Sequence, residues 1–182
     1  MEDFAYVLDY LAQGRATDSK FRREPVAYAL GAAEFKLFEL VPKPGAIMAV
    51  GQRVYIGREM DQKTDIMGVK RRISHNELTS AAQKELPFVI EQVVKEQEQR
   101  FIDFYNKAEA ITTKFHMLEL LPGLGKKTMW ALVEEKKKGE FKSFQEMEKR
   151  IPVLRQPIHL IAQRILKELE NPSEKYRLFV AR

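Results

Sequence analysis

The spacing of apolar residues changes once along this chain, near residue 80, and that change restricts the fold more than any other feature. Before it, apolar runs are short and separated by turn-forming residues; after it, they recur at helical intervals. Strands followed by helices point to an α+β protein. In the first part, Phe4, Tyr6, Val7, Leu8, Tyr10 and Leu11 suit a buried strand, which runs into the polar stretch GRATDSKFRRE. Val26–Gly31 and residues 34–41 follow, and in the latter Phe35, Leu37 and Glu39 alternate with Lys36, Phe38 and Leu40. The short intervening AA and the turn PKPG at 42–45 imply tight connections. RVYIG at 53–57 and DIMGVKRRI at 65–73 complete four or five short strands. So many strands in so short a segment predict a small closed or half-closed barrel over residues 1–78, because an open sheet would leave its edges exposed.

The helical part opens with Ser80-Ala81-Ala82-Gln83, the pattern of a capping box. Pro87 is expected to end or kink that helix, or to start another. Beyond it Ile90, Val94, Gln97, Phe101, Phe104 and Ala108 fall on one face, which predicts a long amphipathic helix; residues 79–109 are read as a bridge. Residues 110–182 are read as an all-helical domain. Helices are expected over 113–121 and 127–138, the latter closed by Gly139. Another is expected from Ser143 to near Arg150, with a capping box at 143–146, and a fourth from Pro157 to Glu170, stopped by Asn171-Pro172. The tail YRLFVAR is expected to return onto the protein as strand or coil. Trp130 and Phe101 are assigned to packing.

Charge separates the two halves. Residues 110–182 hold 15 Lys and Arg against 9 Asp and Glu, whereas residues 1–109 are close to neutral, so the net +5 lies in the helical half. A basic domain attracts polyanions. The absence of cysteine excludes disulfides, thiolate metal sites and a cysteine nucleophile. No apolar run approaches the roughly 20 residues of a membrane span, and the acidic start MEDFAYVLDY is unlike a signal peptide. A cytoplasmic protein without a membrane partner is expected.

Within the basic half, a shift of 30 positions sets Leu121 over Ile151, Pro122 over Pro152, Leu124 over Leu154, Trp130 over Leu160 and Ala131 over Ile161. Both copies lie between expected helices. In the first, Leu121-Pro122-Gly123-Leu124-Gly125-Lys126-Lys127-Thr128, the glycines leave room for a phosphate. Leu124 is expected to anchor the turn, and the helix that follows presents amides and positive charge. The stretch resembles the helix-hairpin-helix motif of nucleic-acid-binding proteins. That resemblance makes Gly123, Leu124, Gly125, Lys126, Lys127 and Thr128 the candidate phosphate site. The second copy has lost both glycines and is expected to be structural, with Arg155 an auxiliary contact.

The order VLDYL, VPKPG, RVYIG, KRRI, ELPFVIE, LELLPGLGKKTMW and EKYRLFV resembles, over nearly the whole chain, a family of archaeal proteins of unknown function. The resemblance implies an N-terminal OB-like barrel joined to a C-terminal tandem helix-hairpin-helix domain, with RNA or nucleotide binding and no particular substrate. Catalysis finds little support. Helix-hairpin-helix glycosylases use an aspartate downstream of the hairpin, and here none follows Asp103. His75, His116 and His159 are widely separated, and Walker, GxSxG and HExxH motifs are missing. Neither a metal nor a cofactor is expected. Glu134 and Glu135 read as a solvated face paired with lysines. A second binding surface is drawn on the barrel, where Arg22, Arg23, Arg53, Arg58, Lys70, Arg71 and Arg72 accompany Phe21, Tyr28 and Tyr55, the mixture OB folds use to track a strand and stack its bases. The sequence thus predicts a non-enzymatic nucleic-acid-binding protein, RNA favoured over DNA, contacting backbone phosphate largely without regard to sequence. The competing reading is an adaptor whose helices dock a ribonucleoprotein or repair protein.

Overall fold

The computed structural model describes residues 1–16 and 23–182. It divides into two compact units, residues 1–90 with 168–182, and residues 91–167.

In the first unit, strands β1 (Phe4–Leu11), β2 (Val26–Gly31), β3 (Leu37–Pro42), β4 (Arg53–Tyr55) and β5 (Ile66–Ile73) pair antiparallel in the order β4-β1-β2-β3-β5. The sheet curls into a half-barrel around Ala5, Val7, Ala29, Leu40, Val54 and Ile66. All five strands lie in segments that the sequence marks out as short apolar runs between turns. The start of β3 is later than expected, because residues 34–36 belong to the turn: Gly31 N donates to the Lys36 carbonyl (2.7 Å), and Phe35 takes a φ of 53°. The carboxylate of Glu2 fastens this turn by accepting from the amides of Ala33 and Glu34, both at 2.7 Å. A Cβ on Gly31 would stand 2.1 Å from Glu2 Oε1, so a larger residue there would have to displace the carboxylate that fastens the turn. Lys43-Pro44-Gly45-Ala46 closes as a type II turn, with Ala46 N donating to Lys43 O (3.0 Å) and Gly45 at φ 76°. Leu37 and Glu39 are buried as the alternation predicts, but the register shifts between Glu39 and Leu40, so Leu40 is buried as well.

Helix α1 (Ser80–Glu96) is capped by Thr79, not by Ser80: Thr79 Oγ1 accepts from Ala82 N (3.0 Å) and donates to Asp9 Oδ2 (2.6 Å). Gln83, the expected partner in a capping box, donates instead to the His75 carbonyl (3.2 Å). Pro87 neither ends nor begins the helix but lies inside it. The interruption falls at Gln97, with φ −108° and ψ 36°, where α2 (Glu98–Lys107) starts. The expected single helix is therefore two. The break turns the buried face of α2 to Phe101, Ile102 and Tyr105, leaving Phe104 half-buried. The end of the chain forms neither strand nor helix. Its amides at Leu178, Phe179 and Val180 donate to the buried carboxylate of Glu168 (2.7, 3.1 and 2.9 Å), and Ala181 N donates to Glu34 O (3.1 Å).

The second unit departs from the all-helical expectation at its start. Residues 113–121 were expected as helix. They contribute instead to a hairpin, β6 (Ala110–Thr112) with β7 (Phe115–His116), and to a single 3-10 turn, Met117–Leu120. The β-branched run Ile111-Thr112-Thr113 accounts for the hairpin. Helices α3 (Lys126–Lys136), α4 (Phe144–Arg150) and α5 (Pro157–Glu170) follow. Ser143 caps α4 as expected, its hydroxyl accepting from Glu146 N (3.0 Å). Arg150 ties the unit together: it pairs with Glu135 (3.2 Å) and Glu146 (3.0 Å), donates to the carbonyls of Glu135 and Gly139, and lies over the Phe141 ring at 4.5 Å. Glu134 and Glu135 also meet Lys137 and Lys138, at 2.7 and 2.8 Å.

Candidate functional site

The loop at residues 121–125 is held from beneath by Leu121, which is buried, and by Leu124 N donating to the Leu121 carbonyl (3.2 Å). Leu124 is half-buried, and Gly123 needs its freedom, with φ at 85°. Gly125 does not. It caps α3 at φ −73° and ψ 157°, ordinary extended angles, and among the described residues no atom lies within 4 Å of where its Cβ would stand. Serine or aspartate would cap the helix better. The amides of Lys126, Lys127 and Thr128 have no hydrogen-bond partner among the described residues, and Gly125, Lys126 and Lys127 are exposed. The result is a helix start with open donors, two ammonium groups beside them and no side chain in front.

The second hairpin follows the first only part of the way. Leu154 N donates to the Ile151 carbonyl (2.9 Å), reproducing the bond between Leu124 and Leu121. The register then slips by one residue, since Leu160 N bonds back to Gln156 O where Met129 N bonds to Gly125 O. The expected match of Trp130 with Leu160 fails accordingly: Leu160 is buried, whereas Trp130 is 56% exposed and is not a packing residue. Gln156, at φ 51°, donates its amide to Glu148 Oε1 (3.2 Å), and Pro157 has no amide to give. That carboxylate takes only the Gln156 amide, which matches Gly125 N; the amides of Ile158 and His159, which match those of Lys127 and Thr128, have no partner among the described residues, and Arg155 is exposed.

Beside the first hairpin, a groove of about 310 Å³ runs along the start of α3, lined by Thr112, Lys114, Phe115, His116, Lys126 and Trp130. His116 Nδ1 accepts from Leu118 N (3.0 Å), and Glu119 accepts the His116 amide (2.7 Å). Burial, and then nearby Lys136, lower the His116 pKa from its usual value, so the ring is neutral with its proton on Nε2.

The basic residues of the barrel are differently placed. Arg22 and Phe21 lie outside the described residues. Arg23 and Arg58 are exposed, and Arg53 stacks on the Phe4 ring at 3.6 Å. Tyr28 is buried and its hydroxyl accepts from Arg15 Nε (2.9 Å); Tyr55 packs edge-on against Phe4 at 5.3 Å. Lys70 and Arg71 come together, but around Glu39, each at 3.0 Å, and Arg15 pairs with the same carboxylate. Arg71 also meets Glu77, and Arg72 donates to the Ala181 carbonyl (2.9 Å). Burial would raise the Glu39 pKa; Lys70 and Arg15 outweigh it and hold it below the usual value. A hollow of about 680 Å³ beside this cluster is lined by Arg15, Tyr28, Arg71 and Thr79. Arg15 and Glu39 were not singled out from the sequence, although the inward position of Glu39 in β3 carried the signal. Spacing could also have placed Trp130, since Met129 and Leu132 are the inward positions of α3.

His159 Nδ1 lies 2.6 Å from Glu91 and His75 Nε2 lies 3.9 Å from Glu170. Among the described residues no three His, Cys, Asp or Glu side chains gather as a metal site, and no helix is long and apolar enough to cross a membrane. Fold and site together define an α+β protein, a curled antiparallel half-barrel with helices, whose candidate site is an exposed basic loop rather than an enclosed cleft. The chain belongs to the DUF655 family, proteins of unknown function, whose family model matches residues 1–181. Uncharacterized protein MJ0038 of Methanocaldococcus jannaschii is 43% identical over 180 residues, covering 98% of this chain and 80% of that one. The crystal structure of Af1531 from Archaeoglobus fulgidus superposes with a TM-score of 0.92 at 44% identity, covering 99% of this chain and all of the other. Both relatives are archaeal, in keeping with the resemblance noted in the sequence.

Proposed function

We propose that this protein binds nucleic acid without transforming it, holding a backbone phosphate on the amides and lysines of residues 122–128. In this reading the half-barrel is OB-like, the loops at 121–125 and 151–156 are a tandem helix-hairpin-helix pair, and RNA is favoured over DNA on the family resemblance. The observation that carries it is Gly125. Its backbone angles suit any residue, its surroundings would admit a side chain, and glycine is a weaker cap than serine or aspartate. What glycine uniquely supplies there is unobstructed approach to the amides of the first helical turn. The second hairpin offers fewer donors, because Pro157 has no amide and Glu148 already serves that of Gln156.

The test is affinity for RNA and DNA oligonucleotides across a salt series. Phosphate contacts make log K fall linearly with log salt, at about one slope unit per contact. Lys126→Glu with Lys127→Glu is expected to weaken binding and lower the slope by roughly one or two units. Gly125→Arg is expected to fold, because its site is open and unstrained, yet to weaken binding roughly tenfold by screening the amides. The nucleic acid should be recovered intact. Binding by Gly125→Arg equal to or tighter than the parent would show that charge alone, not the amides, attracts the ligand.

A further inference from the structure

We propose that the groove beside α3 receives an unpaired nucleobase stacked on Trp130, so that the ligand is single-stranded rather than fully paired. The inference rests on the phosphate-binding reading above and specifies its substrate. Trp130 is the chain's only tryptophan, and the core does not use it: Met129 and Leu132 are buried while it is 56% exposed. An exposed indole is a stacking surface for any base, because every base has a π face. Its position matches the phosphate site. Lys126 and Lys127 lie four and three residues before it, on the same face and one turn toward the open amides. One turn is about 5.4 Å, within the reach of a single nucleotide.

The rest of the groove is complementary to such a ligand. Lys114 and Lys126 bring positive charge, and the acid that lines it, Glu119, is engaged with the His116 amide. The neutral His116 ring carries its proton on Nε2 and so offers a donor suited to a base edge. In an intact duplex both faces of each base are covered by their neighbours and stacking on the protein would require extrusion.

The experiment follows Trp130 fluorescence while titrating oligouridine, oligothymidine and the blunt duplex of oligouridine with oligoadenosine at one salt concentration. Single strands are expected to bind and quench the fluorescence, and the duplex to bind more weakly without quenching. Measured by the anisotropy of a fluorescently labelled strand, Trp130→Ala should lose roughly 5- to 100-fold in single-strand affinity with an unchanged salt slope, and Trp130→Phe should recover most of it. If the parent binds single strand and duplex alike and Trp130→Ala is indifferent, this inference falls while the phosphate reading survives. If the parent binds neither, both fall.

Discussion

Replacing Glu39 by glutamine would remove one negative charge from among three cations while leaving the side-chain volume almost unchanged, so packing loss does not confuse the result. The carboxylate is fully buried, whereas Arg15, Lys70 and Arg71 are 30, 56 and 43% exposed. Breaking a buried ion pair by removing one partner costs about 3–5 kcal/mol, chiefly because the other charge is left unpaired without water. Here the partners reach solvent and Arg71 keeps Glu77, so the cost should fall below that range, at about 2 kcal/mol for the charged hydrogen bonds lost. Urea unfolding followed by circular dichroism measures it. The difference curve between parent and Glu39→Gln against pH adds a second test. A carboxylate whose folded pKa lies below its unfolded value stabilises the fold above the unfolded pKa, and loses that contribution as pH falls through the folded one. The advantage of the parent should therefore be full above the usual value of 4.5 and shrink as the solution is acidified below it. Glu34, held at about 2, loses its contribution in the same acidic range but cancels in the difference, whereas Glu77, also held at about 2, shares Arg71 with Glu39 and cancels only in part. A loss below about 1 kcal/mol, or a difference that grows on acidification, would refute the idea that Glu39 anchors this cluster.

Thr79→Ala should destabilise by about 1–2 kcal/mol in the same urea assay, since it removes both the α1 cap and the bond to Asp9. Glu168→Gln leaves one amide oxygen to serve three backbone donors. Hydrogen exchange at residues 178–180 should accelerate by at least tenfold, and unchanged protection would mean that the carboxylate does not hold the tail.

The five strands and the bounds of α5 were legible because each carries a local signal. Short apolar runs, with alternation at 34–41, and the turn PKPG mark the strands, and Pro157 and Asn171-Pro172 bracket the helix. Where two signals competed, the weaker-looking one prevailed. At 110–116 three β-branched residues outweighed the helical spacing of Leu118 and Leu121, giving a hairpin. Pro87, the strongest breaker in its segment, was absorbed by α1, while the interruption fell at Gln97, which no glycine or proline announces. The candidate loop was picked out by its motif spacing, Pro122-Gly123-Leu124-Gly125-Lys126-Lys127, and by the resemblance it carries. The engagement of the second hairpin's Gln156 amide was not legible, because its contact with Glu148 joins residues that only the folded turn brings together. Nor was the commitment of Lys70 and Arg71 to Glu39, since a run of basic residues looks the same whether or not a buried acid lies beneath it.

The docking of residues 168–182 with residues 1–90 makes the first unit discontinuous in the chain. A ribosome synthesising this protein releases the half-barrel strands first, then all of residues 91–167, and only then the segment carrying Glu168 and the amides it grips. At ordinary elongation rates that interval is roughly 4–15 s, far longer than a hairpin needs to form. Throughout it, the Glu34 carbonyl and the Arg72 guanidinium, which the tail later engages, stand without that partner on a nascent barrel. The completion of the first unit is thus timed by translation, and the helical insert has the opportunity to fold before the unit that encloses it in sequence is finished.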